Sequence, residues 1–200
     1  MAPGNYVVNI TTNIDLGDMN LDVGFDGRTS EVVISLRGIG AVEINRTEST
    51  GPFLAVYASE NIILRNIILN NAGSGGNVVA VRSGVFVMEA GSVLTGGLDG
   101  VIAGPAFQGS TFIMNGGEIY GNTRRGVSIR GVNHHFEKSA GIVFGNVSGN
   151  KSNPTAIVVL DLDDANSIIL YRENNVINAL SVTLDETGNI ASQAGVWSSP

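Results

Sequence analysis

The stretch FIMNGGEIYGN, Phe112 to Asn122, has a recognisable copy on either side, FVMEAGSVLTG from Phe86 and FEKSAGIVFGN from Phe136. Phe86, Phe112 and Phe136 lie 26 and then 24 residues apart, and the same intervals relate Gly91, Gly117 and Gly141, and Val93, Ile119 and Val143. A structural unit of that length, repeated, constrains the fold more than any other feature of the chain. Units of this size that alternate apolar and polar residues and turn on Gly and Asn build solenoids, in which each coil packs only against its neighbours.

With the phase known, the period extends outward. Each unit opens with a short strand, and the expected inward pairs are Leu54 with Val56, Val79 with Val81, Ile102 with Gly104, and Val127 with Ile129. A second strand follows, with inward pairs Ile62 and Leu64, Phe86 and Met88, Phe112 and Met114, and Phe136 and Lys138; a third supplies Leu69, Val93, Ile119 and Val143. Apolar residues two apart on one face are the period of a strand, and helical periodicity is absent. Three strands per turn, each stacked on its equivalent in the next turn at about 4.8 Å, make a parallel β-helix. A single coil buries too little apolar surface to offset the ordering of its backbone, so coils must stack and the two ends need caps.

The remaining chain fits this plan as one domain. Residues 1–30 read as an opening strand and first corner, 31–178 as coils, and 179–200 as a capping segment. ISLRG from Ile34 is in phase with IILRN from Ile62. After Asn146 the spacing loosens: Val127 to Ile157 is 30 residues, so an insertion lies between them, and AIVVLDLDD and NSIILY supply two further strands, the first with Val158, Leu160 and Leu162 inward. SVTLDETGNIASQAGVW reads as a hairpin turning at Glu186 to Asn189, with Trp197 laid over the last coil. Lys138 breaks the pattern. It falls where Met88 and Met114 point inward, which is costly for an ammonium, so a register shift after His135 is expected.

Composition narrows the functions. The 200 residues are 43% hydrophobic but only 6% aromatic, which suits a narrow aliphatic core. A net charge of −7 argues against binding nucleic acid or an anionic membrane, and the absence of Cys excludes disulfides and thiolate metal sites. No apolar run is long enough for a transmembrane segment. Met1 to Gly4 passes at once into strand-like sequence, so any export signal is expected upstream.

Few residues carry site chemistry. Asp161, Asp163 and Asp164 in VLDLDDAN are the candidates for calcium or for an acid and base pair, against the plainer reading of a solvated strand face. Asp15, Asp18, Asp22 and Asp26 do not match a calcium loop and read as turn residues. His134 and His135, the only histidines, cannot make a three-histidine metal site; with Arg124, Arg125 and Arg130 they form a candidate cationic corner for a carboxylate or sulfated sugar, against an ordinary exposed corner. The Gly-rich corner from Asn70 to Asn77 lacks the Lys-Ser/Thr of a phosphate loop. No nucleophile elbow is present, and of the aromatics only Tyr57, Phe107, Tyr120 and Tyr171 are outward candidates.

FIMNGGEIYGN, the paired ISLRG and IILRN strands, FEKSAGIVFGN and the closing LSVTLDETGNIASQAGVW together resemble the repetitive right-handed β-helix proteins of spirochaetes, treponemes especially, and more broadly the pectin-lyase-like β-helices. The resemblance covers most of the chain and implies an all-β, single-stranded, right-handed parallel β-helix with a C-terminal cap. The resemblance is architectural and carries no transferable active site; the expectation is an exported or cell-surface, adhesin-like scaffold with no catalytic residues and no cofactor, with a host or cell-surface glycan or protein as its partner. The alternative, from the wider superfamily, is a carbohydrate-active lyase or hydrolase, or a glycan-binding protein.

Overall fold

The computed structural model describes residues 4–21, 32–47, 50–72, 75–103, 109–130, 132–143, 146, 155–160, 168–171, 180–184, 186 and 190–195. Among them the chain is all strand and turn. The longer strands are β1 (Gly4–Ile10), β3 (Val32–Asn45), β5 (Glu60–Asn70), β7 (Val85–Met88), β10 (Thr111–Ile119) and β12 (His135–Val143), each parallel to the next in one sheet. Two short strands, β2 (Ile14–Asp15) and β8 (Val93–Thr95), join its side. Between successive coils the chain crosses to a second sheet and back, through β4 (Leu54–Val56), β6 (Val79–Val81), β9 (Asp99–Ala103), β11 (Arg125–Arg130) and β13 (Thr155–Leu160), again all parallel. The result is a right-handed parallel β-helix of about five turns, the fold class expected from the repeats.

Side-chain alternation sets the register. Inside, in-register residues stack as columns: Ile34, Ile62, Phe86, Phe112 and Phe136; then Leu36, Leu64, Met88, Met114 and Lys138; and, in the second sheet, Leu54, Val79, Val101 and Val127. Phe86, Phe112 and Phe136 are stacked with ring centroids 5.6 and 5.3 Å apart. The corner after this sheet's first arm bends through a left-handed backbone at Asn66, Gly91, Gly117 and Gly141. At Gly117, φ is 84° and an added Cβ would lie 2.5 Å from the Ser92 carbonyl oxygen of the coil below, so only glycine fits.

Three inward assignments differ from the sequence reading. Val101 and Ala103, not Ile102 and Gly104, face the core, because the same strand begins with Asp99, whose buried carboxylate is held inside and sets the alternation. Leu94 replaces Val93: the corner holds one extra residue, Ser92, which is buried and donates its hydroxyl to the Leu64 carbonyl at 3.0 Å. Lys138 does stand in the methionine column. It pairs with Met114 and is 1% exposed, and the register slips only after it, between Met114 and Asn115. In the next coil Val127 and Ile129 pair in register with Ile157 and Val159 of β13. The insertion falls between β12 and β13.

The far end closes with a change of direction. β14 (Ile168–Tyr171) runs antiparallel to β13, while β15 (Leu180–Leu184) runs antiparallel to β12 and to β16 (Ile190–Gly195), forming the hairpin expected of the capping segment. These antiparallel strands break the parallel progression of the coils at this end. Trp197 lies outside the described residues.

Candidate functional site

The cationic corner expected from Arg124, Arg125, Arg130, His134 and His135 is mostly internal support. Arg124 donates from Nε to Asp99 Oδ1 at 2.9 Å and from its terminal nitrogen to Oδ2, reaching one coil down to a fully buried carboxylate. That hydrogen bonding to Asp99 holds the Arg124 guanidinium above its ordinary range, against the opposing effect of burial. Arg125 is half-buried at the start of β11, across from Asp99, and Arg130 ends the same strand. His134 is not on an exposed corner: it is fully buried, and its Nδ1 accepts the Ser110 N–H at 3.2 Å. An accepting Nδ1 requires the neutral ring. His135 is half-buried, with Nδ1 2.9 Å from the Thr183 hydroxyl of β15 and Nε2 3.7 Å from the Glu137 carboxylate, so it ties the last coil to the cap.

The buried polar groups continue the same logic. Two residues before Ile62, Phe112 and Phe136 of the phenylalanine column stand Glu60, Ser110 and His134, all inward and all buried. Glu60 accepts the Tyr57 N–H at 2.8 Å, and the Ser110 hydroxyl donates to the Val81 carbonyl at 2.9 Å while accepting from the Ser83 N–H. At another corner Asn122 donates to Asn146 Oδ1 at 2.8 Å and accepts from the Gly97 N–H at 3.1 Å. Arg46 fills the equivalent place near the N-terminal end. It is fully buried, donates to Asn71 Oδ1, Asn20 Oδ1 and the carbonyls of Pro52 and Gly51, and lies 5.1 Å over the Phe53 ring. Burial pushes its guanidinium below the ordinary range. These groups satisfy backbone ends that the corners leave unpaired, and they point inward, away from any ligand.

Among the described residues two surface concavities stand out. One, of about 150 Å³, lies between Asn20, Pro52, Tyr57 and Arg82; there Arg82 stacks 5.6 Å over the Tyr57 ring and donates to its hydroxyl at 3.3 Å. The other, of about 270 Å³, lies on the outward face of β1, β3, β5 and β7, between Val7, Ser35, Arg37, Ile63, Arg65 and Glu89. Arg37 and Arg65 are in-register neighbours on consecutive coils. Sequence reading used them to set the phase of ISLRG and IILRN and passed over them as ligands. The signal was present: arginine recurs at one outward position of two successive repeats.

Among the described residues no group of three or more His, Asp and Glu could hold a metal ion. Asp15 accepts the Gly17 N–H at 2.9 Å in the turn that also holds Asp18, in keeping with the turn reading, whereas Asp22, Asp26 and the VLDLDDAN candidates Asp161, Asp163 and Asp164 lie outside the described residues. Tyr57 and Tyr120 are half-buried, and Phe107 lies outside. No described helix is long and apolar enough to cross a membrane. No protein-family model matches the chain, and no curated protein or solved structure is significantly similar to it.

Proposed function

We propose that the chain is a non-catalytic β-helix scaffold, exported and displayed at a bacterial surface, whose outward sheet face is an adhesin-like binding surface. The observation that carries this is the outward row running up consecutive coils through Val7, Ser35, Ile63, Val87, Ile113 and Glu137. Ile63, Val87 and Ile113 are half-buried on the outer side of the sheet, where a solenoid wall needs no apolar residue for its own core. A straight apolar row with rungs about 4.8 Å apart, bordered by arginines, is a ready contact surface for a host or cell-surface glycan or protein. The likeness of FIMNGGEIYGN and its copies to spirochaete β-helix proteins supports display outside the cell.

Among the described residues Asp99, Glu60 and His134 serve as internal ties: Asp99 holds Arg124, Glu60 caps a turn, and the His134 ring braces Ser110. The test is incubation of the protein with pectin, alginate and glycosaminoglycans, with and without calcium, alongside a glycan array under the same two conditions. The expected result is no release of reducing ends or unsaturated products, and array binding that substitution of Ile63 and Ile113 by Asp abolishes. Turnover at enzyme-like rates would overturn the reading in favour of a polysaccharide lyase or hydrolase.

A further inference from the structure

We infer that the groove over β1, β3, β5 and β7 is a binding site for a small carboxylate whose remaining body is apolar. The inference deepens the binding-surface reading by naming the ligand class at one place on that surface, and it rests on that reading.

Like charges placed directly opposite on adjacent strands repel, yet Arg37 and Arg65 are register partners on consecutive coils, about 4.8 Å apart along the stack. The chain as a whole is acidic, at −7, so a surplus of arginine does not force them together. Their row continues on one side to Asn9, which is neutral, and on the other to Glu89. Glu89 reaches Arg65 at 3.7 Å, and Arg37 has no ion-pair or hydrogen-bond partner among the described residues. Of the two guanidiniums only that of Arg65 meets a carboxylate, and the unmatched charge of Arg37 borders a concavity. Departures from local consistency of this kind concentrate at functional sites.

The shape of the groove selects the rest of the ligand. Guanidinium forks favour carboxylates, which they can grip through two parallel N–H donors. Beside them, Val7, 64% exposed, and Ile63 offer apolar surface, with only the Ser35 hydroxyl between. At about 270 Å³ the concavity is below the roughly 300–1,000 Å³ of sites for drug-sized ligands, so it suits a short acid rather than a polymer segment. Such an acid sets its carboxylate between Arg37 and Arg65 and its hydrocarbon on Val7 and Ile63.

The experiment titrates the full chain with hexanoate, with glucuronate and with neutral hexanol, reading the backbone amide shifts of Val7, Arg37, Ile63 and Arg65 by NMR. Hexanoate is expected to saturate these shifts with a Kd on the order of millimolar, ahead of glucuronate, while hexanol has no effect. Arg37→Gln and Arg65→Gln should each weaken hexanoate by about tenfold or more, as expected for loss of a charge-assisted contact. Glu89→Gln should strengthen it, because the competing carboxylate is gone. The three side chains are solvent-facing, so unchanged thermal melts show that each variant is folded. The inference is overturned if neither acid gives saturable shifts at Arg37 and Arg65, if hexanol matches hexanoate, or if both arginine variants bind as the parent does. Glucuronate binding ahead of hexanoate would refute the apolar body and assign the groove to a sugar acid. If no acid binds while polysaccharides stay intact, this inference fails alone. If polysaccharides are cleaved while the hexanoate shifts persist, the scaffold reading fails alone.

Discussion

Replacing Phe112 with Ala removes the middle ring of the phenylalanine column. The ring is fully buried, stacked 5.6 Å from Phe86 below and 5.3 Å from Phe136 above, both at 21° between planes. Deleting a buried phenylalanine costs about 3–5 kcal/mol. The upper part of that range applies, because ladder hydrogen bonds on both sides hold the coil spacing and keep the walls from collapsing into the void. For a chain of this size the loss corresponds to a fall in Tm of about 8–20 °C. The internal control is Ile113→Ala, one residue along the same strand and facing outward, where only partial burial is lost and a cost below about 1.5 kcal/mol is expected. Both variants are read by urea and thermal melts followed by far-UV circular dichroism. Equal destabilisation by the two, or a Tm for Phe112→Ala within 2 °C of the parent (roughly half a kcal/mol), would refute the assignment of this column to the core.

Three further outcomes follow from the same structure. Burial pushes the Lys138 ammonium below its ordinary value of 10.5, so the folded state holds this proton less readily than the unfolded chain; the penalty is present at neutral pH and fades as pH rises through the lowered value towards 10.5. Lys138→Met, matching Met88 and Met114, should stabilise the protein by about 1–4 kcal/mol at pH 7, with an advantage over the parent that shrinks in melts at higher pH. Arg46→Met leaves the carbonyls of Gly51 and Pro52 and the Asn71 amide oxygen without their donor, and should cost about 2–4 kcal/mol in a urea melt. Deleting the chain from Leu180 onward exposes the outer edge of β12, and the truncated protein should form higher-order species in light scattering while the full chain does not; a monodisperse truncation of unchanged Tm would show that the hairpin is no cap.

Much of the fold was legible because a solenoid writes its core once per coil. The spacing of Phe86, Phe112 and Phe136 gave the stacking partners directly, and the hairpin at the end followed from its turn residues. What failed were single-residue slips. Ser92, one residue more than the equivalent corners of β5, β10 and β12 hold, moved the inward position from Val93 to Leu94, and nothing in the local alternation marks a serine that turns inside to meet a carbonyl. Asp99 set the phase of its strand through an ion pair with Arg124, 25 residues away, a contact that periodicity cannot display. Lys138 was placed correctly in the column and then moved out of it on energetic grounds; the register shows that the position outweighs the residue. His134 was recoverable: it stands two residues before Phe136, as Ser110 stands before Phe112, and strand alternation alone puts both inside. The Arg37 and Arg65 groove was missed for the opposite reason, since its residues are ordinary on one coil and become a site only when two coils are laid side by side.

The coils stack in register as one rod, and the absence of Cys makes that stacking directly measurable. Val7, Ser35, Ile63, Val87, Ile113 and Glu137 are consecutive rungs of one outward row. Cysteines introduced in pairs at Ser35 and Val87, Ser35 and Glu137, and Val7 and Glu137 would carry nitroxide labels two, four and five rungs apart, for electron paramagnetic resonance distance measurement. The predicted separations, before allowance for the labels, are about 10, 19 and 24 Å, rising by about 4.8 Å per rung with narrow distributions. Distances that do not grow with rung number, or broad distributions for the longest pair, would contradict the stacked solenoid and every inference drawn from its faces.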